Sequence, residues 1–328
     1  MKILRFVVAV CAVAAALSGV KLAVGHTAAS GPAAAPQLAI LDTDIGDDID
    51  DAFALALALR SPELKLLGIT TTFGDTELRA RLVDRYLHAV GRTNIPVAAG
   101  VPTAHTNVFT QMAYASQWPK TVHPGGVRFL LDQIRAHPGA ITLIAIGPLS
   151  NVGEAIKEDP TTFAKLKRVV LMGGSIDRGY DGANGERRPP DAEWNINRDP
   201  AGAKALFASG VPVFVMPLDS TQIHLDAKER EHIFAHGSPL TDQLTLLYHQ
   251  WMAGSEGHPL APTLYDPVAV TYAIHPELCP ATPMRIEVDD RGFTHKVSGS
   301  PNAQVCLKSD ERGFLDLLSG RLTKAETH

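Results

Sequence analysis

The stretch LAILDTDIGDDIDDAFALALAL, residues 38–59, joins three kinds of sequence within 22 residues. Residues 38–41 are an unbroken apolar run, short enough for a buried strand. Residues 52–59, AFALALAL, alternate alanine with larger apolar side chains. That pattern resembles a strand with one polar face, but alanine is not polar and favours helix. A buried helix starting at Asp50 is therefore expected, with Asp50 and Asp51 in its first turn, where the positive end of the helix dipole suits them. Between strand and helix stand six aspartates in ten residues: Asp42, Asp44, Asp47, Asp48, Asp50 and Asp51.

The same grammar recurs along the chain. Apolar runs at residues 66–72, 141–146, 169–172 and 213–216 read as further buried strands. Helical patterns follow at 77–90, 127–136, 151–158 and 200–208. Alternating strands and helices predict an α/β fold, a single domain with a central, mostly parallel (mixed) sheet flanked by helices. Ligands collect at the carboxyl ends of the strands in such sheets. The residues just past the runs are DTDIGDDIDD, TTFGDTE, GPLSN, GGS and PLDST, so acidic, hydroxyl and glycine residues share one edge. Residues 180–190 read as a long loop, and 108–124 as an irregular segment with aromatic side chains.

A net charge of -5 over 328 residues supplies no basic field, which excludes nucleic acid as a partner and points to a small molecule. At the N-terminus, Lys2 and Arg5 precede an apolar run over residues 6–20 and small residues around Gly25. Residues 1–25 are expected to be a secretory signal and 26–36 a disordered spacer, leaving 37–328 as the catalytic domain. An uncleaved anchor is the alternative, although the run is short of the ~20 residues a membrane span needs. The expected location is therefore periplasmic or extracellular, with no stable membrane association after cleavage. Past the signal only Cys279 and Cys306 remain, either as one disulfide or as buried thiols.

Ionised together at close range, the clustered aspartates would repel one another, and a hard cation resolves the conflict. Calcium accepts six to eight oxygen ligands and tolerates mixed carboxylate modes. The plain alternative is a solvated acidic turn whose aspartates cap the following helix. An EF-hand beginning at Asp42 fails on spacing, because its sixth and twelfth positions fall on Asp47 and Phe53 instead of glycine and glutamate. A haloacid-dehalogenase-type phosphatase also opens with Asp-x-Asp after a strand, but Gly46 stands where that motif carries threonine or valine.

DTDIGDDIDDA, TTFGD, GPLSN, LMGGS, DAEWNINRDP and LYDPVAV, in that order, resemble the inosine-uridine nucleoside hydrolases across nearly the whole chain past the signal. The resemblance implies a nucleoside hydrolase-like fold and calcium-dependent hydrolysis of the N-glycosidic bond of ribonucleosides. It makes Asp44 both a metal ligand and the base that activates water. Asp51, Asp266 and the backbone carbonyl of Ile146 complete the implied metal set. The family's opening pattern is Asp-x-Asp-x-Gly-x-Asp-Asp, and this chain carries two extra residues before its final doublet. Asp50 is the implied ribose ligand, with Asp48 a competitor for that role.

Glu193 and Asn195 match the family's sugar-binding pair, since a carboxylate and an amide can accept from and donate to vicinal hydroxyls. Asn184 is the implied contact of the 5′-hydroxyl. Asp75 stands where the family commonly has asparagine and is a further ribose candidate. Tyr265 replaces a histidine that members often place before the metal-binding Asp-Pro, so its expected part is stacking on or hydrogen bonding to the departing base. Trp194, Trp118 and Tyr114 are candidates for a stacking wall. No pair among His105, His123, His224 and His258 has metal-ligand spacing. The family also implies a homo-oligomer, dimer or tetramer. The competing function is a secreted ribose- or nucleoside-binding protein that keeps the metal cage without efficient turnover.

Overall fold

The computed structural model describes residues 35–104, 108–182, 185–254 and 261–325. These residues form a nine-stranded sheet: β1 (Gln37–Thr43), β2 (Leu64–Thr71), β3 (Val97–Ala99), β4 (Ile141–Ala145), β5 (Arg168–Met172), β6 (Val213–Met216), β7 (Thr282–Val288), β8 (Thr294–Val297) and β9 (Ala303–Val305). Their order is β3-β2-β1-β4-β5-β6-β9-β7-β8. Seven strands run parallel, and β7 is antiparallel to both β9 and β8, which makes the sheet mixed as expected.

Helices cover both faces, so successive residues of one strand enter different cores. Leu41, Ile144 and Val170 belong to one apolar cluster, and Ile40, Leu143 and Val169 to the other. That alternation follows from the two-residue period of a strand. It also explains why these strands read as unbroken apolar runs. The helix Asp50–Leu59 is buried at every position, the state of a helix that is apolar all round. It packs against Asp266–Ile274, whose last eight residues show no polar side chain beyond Thr271 and Tyr272.

The expected strands and helices are present, with ends displaced by a residue or two. β1 runs on through Thr43, so Asp42 is a strand residue and not part of the turn. Sequence reading passed over the short β3 and β9 and the antiparallel pair β7 and β8, which lack the long apolar runs of the other buried strands. Residues 108–124 hold a short helix, Met112–Ser116, inside the irregular segment. Cys279 and Cys306 form a disulfide, which ties the chain ahead of β7 to the end of β9.

The chain winds outward from β1 in both directions, toward β3 on one side and β6 on the other. The order therefore reverses between β1 and β4. Loops leaving these neighbours diverge and open a crevice at their carboxyl ends, the usual place for a ligand in this architecture.

Candidate active site

The crevice past β1 and β4 contains a cavity of about 280 Å³. Asp44, Asp50, Asp51 and Asp266 line it and are buried, while Asp48, Tyr180, Trp194 and Tyr265 line it and are partly exposed. The first group is thus the floor and the second the rim. Ile146, Met172, Glu193 and Asn195 line the cavity too.

Two helices bring the floor carboxylates together. Asp50 and Asp51 open the helix Asp50–Leu59, and Asp266 opens the helix Asp266–Ile274. Pro267 fits the first turn because its missing N–H has no partner there in any case. The backbone N–H of Asp266 donates to Asp50 Oδ2 at 3.2 Å, and Thr43 Oγ1 donates to Asp51 Oδ1 at 2.5 Å. One oxygen each of Asp50, Asp51 and Asp266 lie within 4.8 Å of one another. Two ligands on one calcium, each bonded at about 2.3–2.6 Å, can stand that far apart.

Electrostatics point to the same conclusion. Burial pushes the carboxyls of Asp50, Asp51 and Asp266 well above the usual carboxylate range. The mutual repulsion of these groups, with Asp48 acting on Asp50 and Asp44 on Asp51 and Asp266, adds to the rise. Burial raises Asp44 too, with Asp47 adding to it, while Arg79 and a hydrogen bond from the Trp194 side chain oppose it. Buried like charges of this kind must be either protonated or compensated. An all-oxygen, carboxylate-rich donor set fits a hard divalent cation.

Asp44 sits where a glycine makes room. A Cβ on Gly147 would fall 2.8 Å from Asp44 Oδ1 and from its backbone nitrogen. The first residue of GPLSN is therefore glycine because Asp44 occupies the space. At Gly46, φ is +130° and a Cβ would lie 2.3 Å from the Phe109 ring, so the turn needs glycine on both counts.

Glu193 is buried at the start of the helix Trp194–Arg198, accepting from the N–H groups of Asn195, Ile196 and Gly174. Burial pushes its carboxyl up to about 7, against the pull of those three donors. Asn195 Nδ2 donates to the carbonyls of Ile146 and Met172 at 3.2 and 3.1 Å. The sugar-pair candidate and the carbonyl candidate are thus in direct contact. On the rim, the Tyr180 and Tyr265 rings meet edge to face at 6.1 Å, and the Trp194 N–H donates to Tyr180 Oη. Burial holds both phenols above their ordinary range, with Asp50 and Asp48 adding to the effect on Tyr265 and Glu193 to that on Tyr180.

Several candidates stand elsewhere. Asp75 is exposed and outside the cavity lining; its Oδ1 accepts from Leu78 N at 2.9 Å and caps the helix Thr76–Ala89. Tyr114 is buried with Arg85 over its ring, and Trp118 donates to Asp84, so neither forms a wall of the cavity. His123 pairs with Glu77 and His224 with Thr263. Asn184, His105 and His258 lie outside the described residues. Asp42, the nucleophile a phosphatase would need, is 0 % exposed, and its Oδ1 accepts from Thr70 and Asn151. Burial raises it to about 6, and it does not line the cavity.

Sequence reading missed Arg79, which grips the aspartate turn from below, and Tyr180, which lies in a loop without periodicity. The only sequence signal for Arg79 was a lone basic residue on the otherwise apolar face of an amphipathic helix.

Residues 39–316 match the family of inosine-uridine preferring nucleoside hydrolases. A relative described as a pyrimidine-specific ribonucleoside hydrolase, RihA of Escherichia coli O127:H6, is 31 % identical over 319 residues, covering 86 % of this chain and 97 % of its own. Among solved structures, a plant nucleoside hydrolase, PpNRh1, superposes with a TM-score of 0.78 at 27 % identity, covering 88 % of this chain and all of its own. A purine-preferring ribonucleoside hydrolase from Gardnerella vaginalis gives 0.75 at 26 % identity, with 88 % and 98 % covered. The fold and the carboxylate-floored cavity define an N-glycosidase of the ribonucleoside-cleaving class. The chain belongs to the inosine-uridine preferring nucleoside hydrolase family.

Proposed function

We propose that the chain is an exported, calcium-dependent hydrolase of ribonucleosides in which Asp44 accepts the proton of the attacking water. The observation that carries this is Asp44 lining a cavity directly beside three clustered carboxylates, at the sheet's switch point. Asp44, Asp51, Asp266 and the Ile146 carbonyl would hold the ion, with Asp50 turned to the ribose. Bound there, calcium supplies the positive charge that orients water and the sugar hydroxyls and lowers the water's pKa.

The protein's own groups do the rest. Asp44 removes the water proton as oxygen attacks the anomeric carbon, the C–N bond breaks, and its electron pair leaves with the base. The sugar gains positive charge along the way, which the carboxylates of Asp50 and Glu193 favour. Glu193 and Asn195 orient the sugar from beside the carboxyl ends of β4 and β5, Asp48 adds a rim carboxylate near the sugar, and Tyr265 with Tyr180 and Trp194 faces the departing base. Base choice is assigned to this rim; one relative is named as pyrimidine-specific and another as purine-preferring. Export agrees with the Cys279–Cys306 disulfide, which persists in oxidising compartments.

The test is reducing-sugar release from a panel of inosine, adenosine, uridine and cytidine, with calcium or with a chelator. Release that stops on chelation and returns with calcium is expected. Nucleoside binding without release would make the chain a binding protein.

A further inference from the structure

We infer that Arg79 is a positioning residue that sets the turn carrying Asp44, a role that rests on the reading of Asp44 as the proton acceptor. Arg79 lies in the first turns of the helix Thr76–Ala89 and is 0 % exposed. A guanidinium that deep is tolerated only when its fork of N–H donors is used. Here Nε donates to the Phe73 carbonyl at 2.8 Å, and Nη1 donates to the carbonyls of Asp44 and of Ile45, the latter at 3.0 Å. Nη2 donates to Asp47 Oδ2 at 3.1 Å, and the Phe109 ring lies 5.2 Å away.

One side chain therefore ties the loop past β1 to the loop past β2. Phe73 takes a left-handed backbone, φ +64°, which a bulky residue adopts only when its surroundings hold it there. Its carbonyl is the one that accepts from Arg79 Nε. On the outer half of the aspartate turn, different groups do the holding: Thr110 Oγ1 and Gln111 donate to the carbonyls of Asp47 and Asp48. The Asp44 and Ile45 carbonyls fall to Arg79. The Asp47 carboxylate orients the guanidinium. The aspartate turn and the buried arginine form one unit.

The geometry assigns Arg79 a selective effect. Shifting the Asp44 peptide misaligns the proton acceptor, and displacements near 1 Å cost on the order of 100-fold in rate. Glu193 and Asn195, held by separate contacts on another element, keep their hold on the sugar.

The experiment compares full-length wild type with Arg79→Lys and Asp47→Asn, measuring kcat and KM for ribose release and, separately, the affinity for calcium alone by calorimetry. Lysine keeps the charge but cannot reproduce the fork. Arg79→Lys is expected to lose about 100-fold in kcat with KM within threefold, and to bind calcium about tenfold more weakly. Asp47→Asn is expected to lose about tenfold in kcat. A folded Arg79→Lys with kcat within threefold of wild type overturns the proposal, as does a KM that rises in step with any loss. If Arg79→Lys does not fold, Asp47→Asn decides, and an unchanged kcat overturns the assignment. If the wild type releases no ribose, the catalytic reading fails on its own, and the calcium affinity of Arg79→Lys then tests the positioning: an unchanged value overturns it.

Discussion

Asp50, Asp51 and Asp266, on the cavity floor, stand at the first turns of two buried helices that pack on each other, whereas Tyr180, Trp194 and Tyr265, on its rim, come from a loop and from the junctions where loops meet helices. The three carboxylates are fixed by the core itself: moving one of them means moving an apolar helix, whereas the fourth floor carboxylate, Asp44, stands on the turn past β1. The rim is held by ring contacts, Tyr180 with Tyr265 edge to face and Arg198 over Trp194, and by hydrogen bonds from Trp194, through its backbone to Tyr180 and through its side chain to Asp44. A family that keeps one reaction and varies its bases would divide its architecture in this way, with charge and metal chemistry on rigid elements and base contacts on replaceable ones.

Breaking the floor is expected to have the largest effect. Asp51→Asn or Asp266→Asn should weaken calcium binding by 100-fold or more and reduce ribose release in proportion, read by calorimetry and by reducing-sugar assay. Because the lost group is one of several buried like charges, the calcium-free variants should melt no lower than calcium-free wild type; a large drop in melting temperature would mean that the carboxylates serve the fold instead. Altering the rim should do less. Tyr265→Phe is expected to change kcat/KM by about tenfold or less while shifting the ratio between purine and pyrimidine nucleosides. Equal losses for every base would remove Tyr265 from the base subsite.

Two smaller effects bound the comparison from outside the cavity. Cys279→Ser opens a loop of 27 residues and should lower stability by about 3 kcal/mol with activity at 25 °C within twofold. Asp75→Ala should cost about 1 kcal/mol through loss of a helix cap and leave KM unchanged. A raised KM would return Asp75 to the sugar site.

The floor was legible in the sequence for a physical reason. Aspartates packed between an apolar strand and an apolar helix have few uses other than binding a cation, and the helix Asp50–Leu59 could be bounded to the residue because its composition changes abruptly at Asp50. Asp266 needed the surrounding LYDPVAV motif, since an isolated Asp-Pro reads as a common helix start. Arg79 was not legible, because what defines it is three carbonyls from two distant turns, and backbone acceptors leave no trace in composition. Asp75 shows the opposite case: its place in a motif suggested sugar binding, while the structure puts it at a helix N-cap outside the cavity lining, where aspartate is favoured with no ligand at all. Strands β7 and β8 escaped because their half-exposed residues mix polar and apolar types without a clean alternation, and β9 because it is only three residues long.

The central claim is that Asp44 takes a proton from water at a calcium-bearing floor. It is tested most directly by ribose release from a single nucleoside by wild type and Asp44→Asn, each with saturating calcium and with chelator. Release by wild type only with calcium, with Asp44→Asn slower by 100-fold or more at unchanged melting temperature, is the predicted result. Release that survives chelation, or an Asp44→Asn variant within tenfold of wild type, would contradict it.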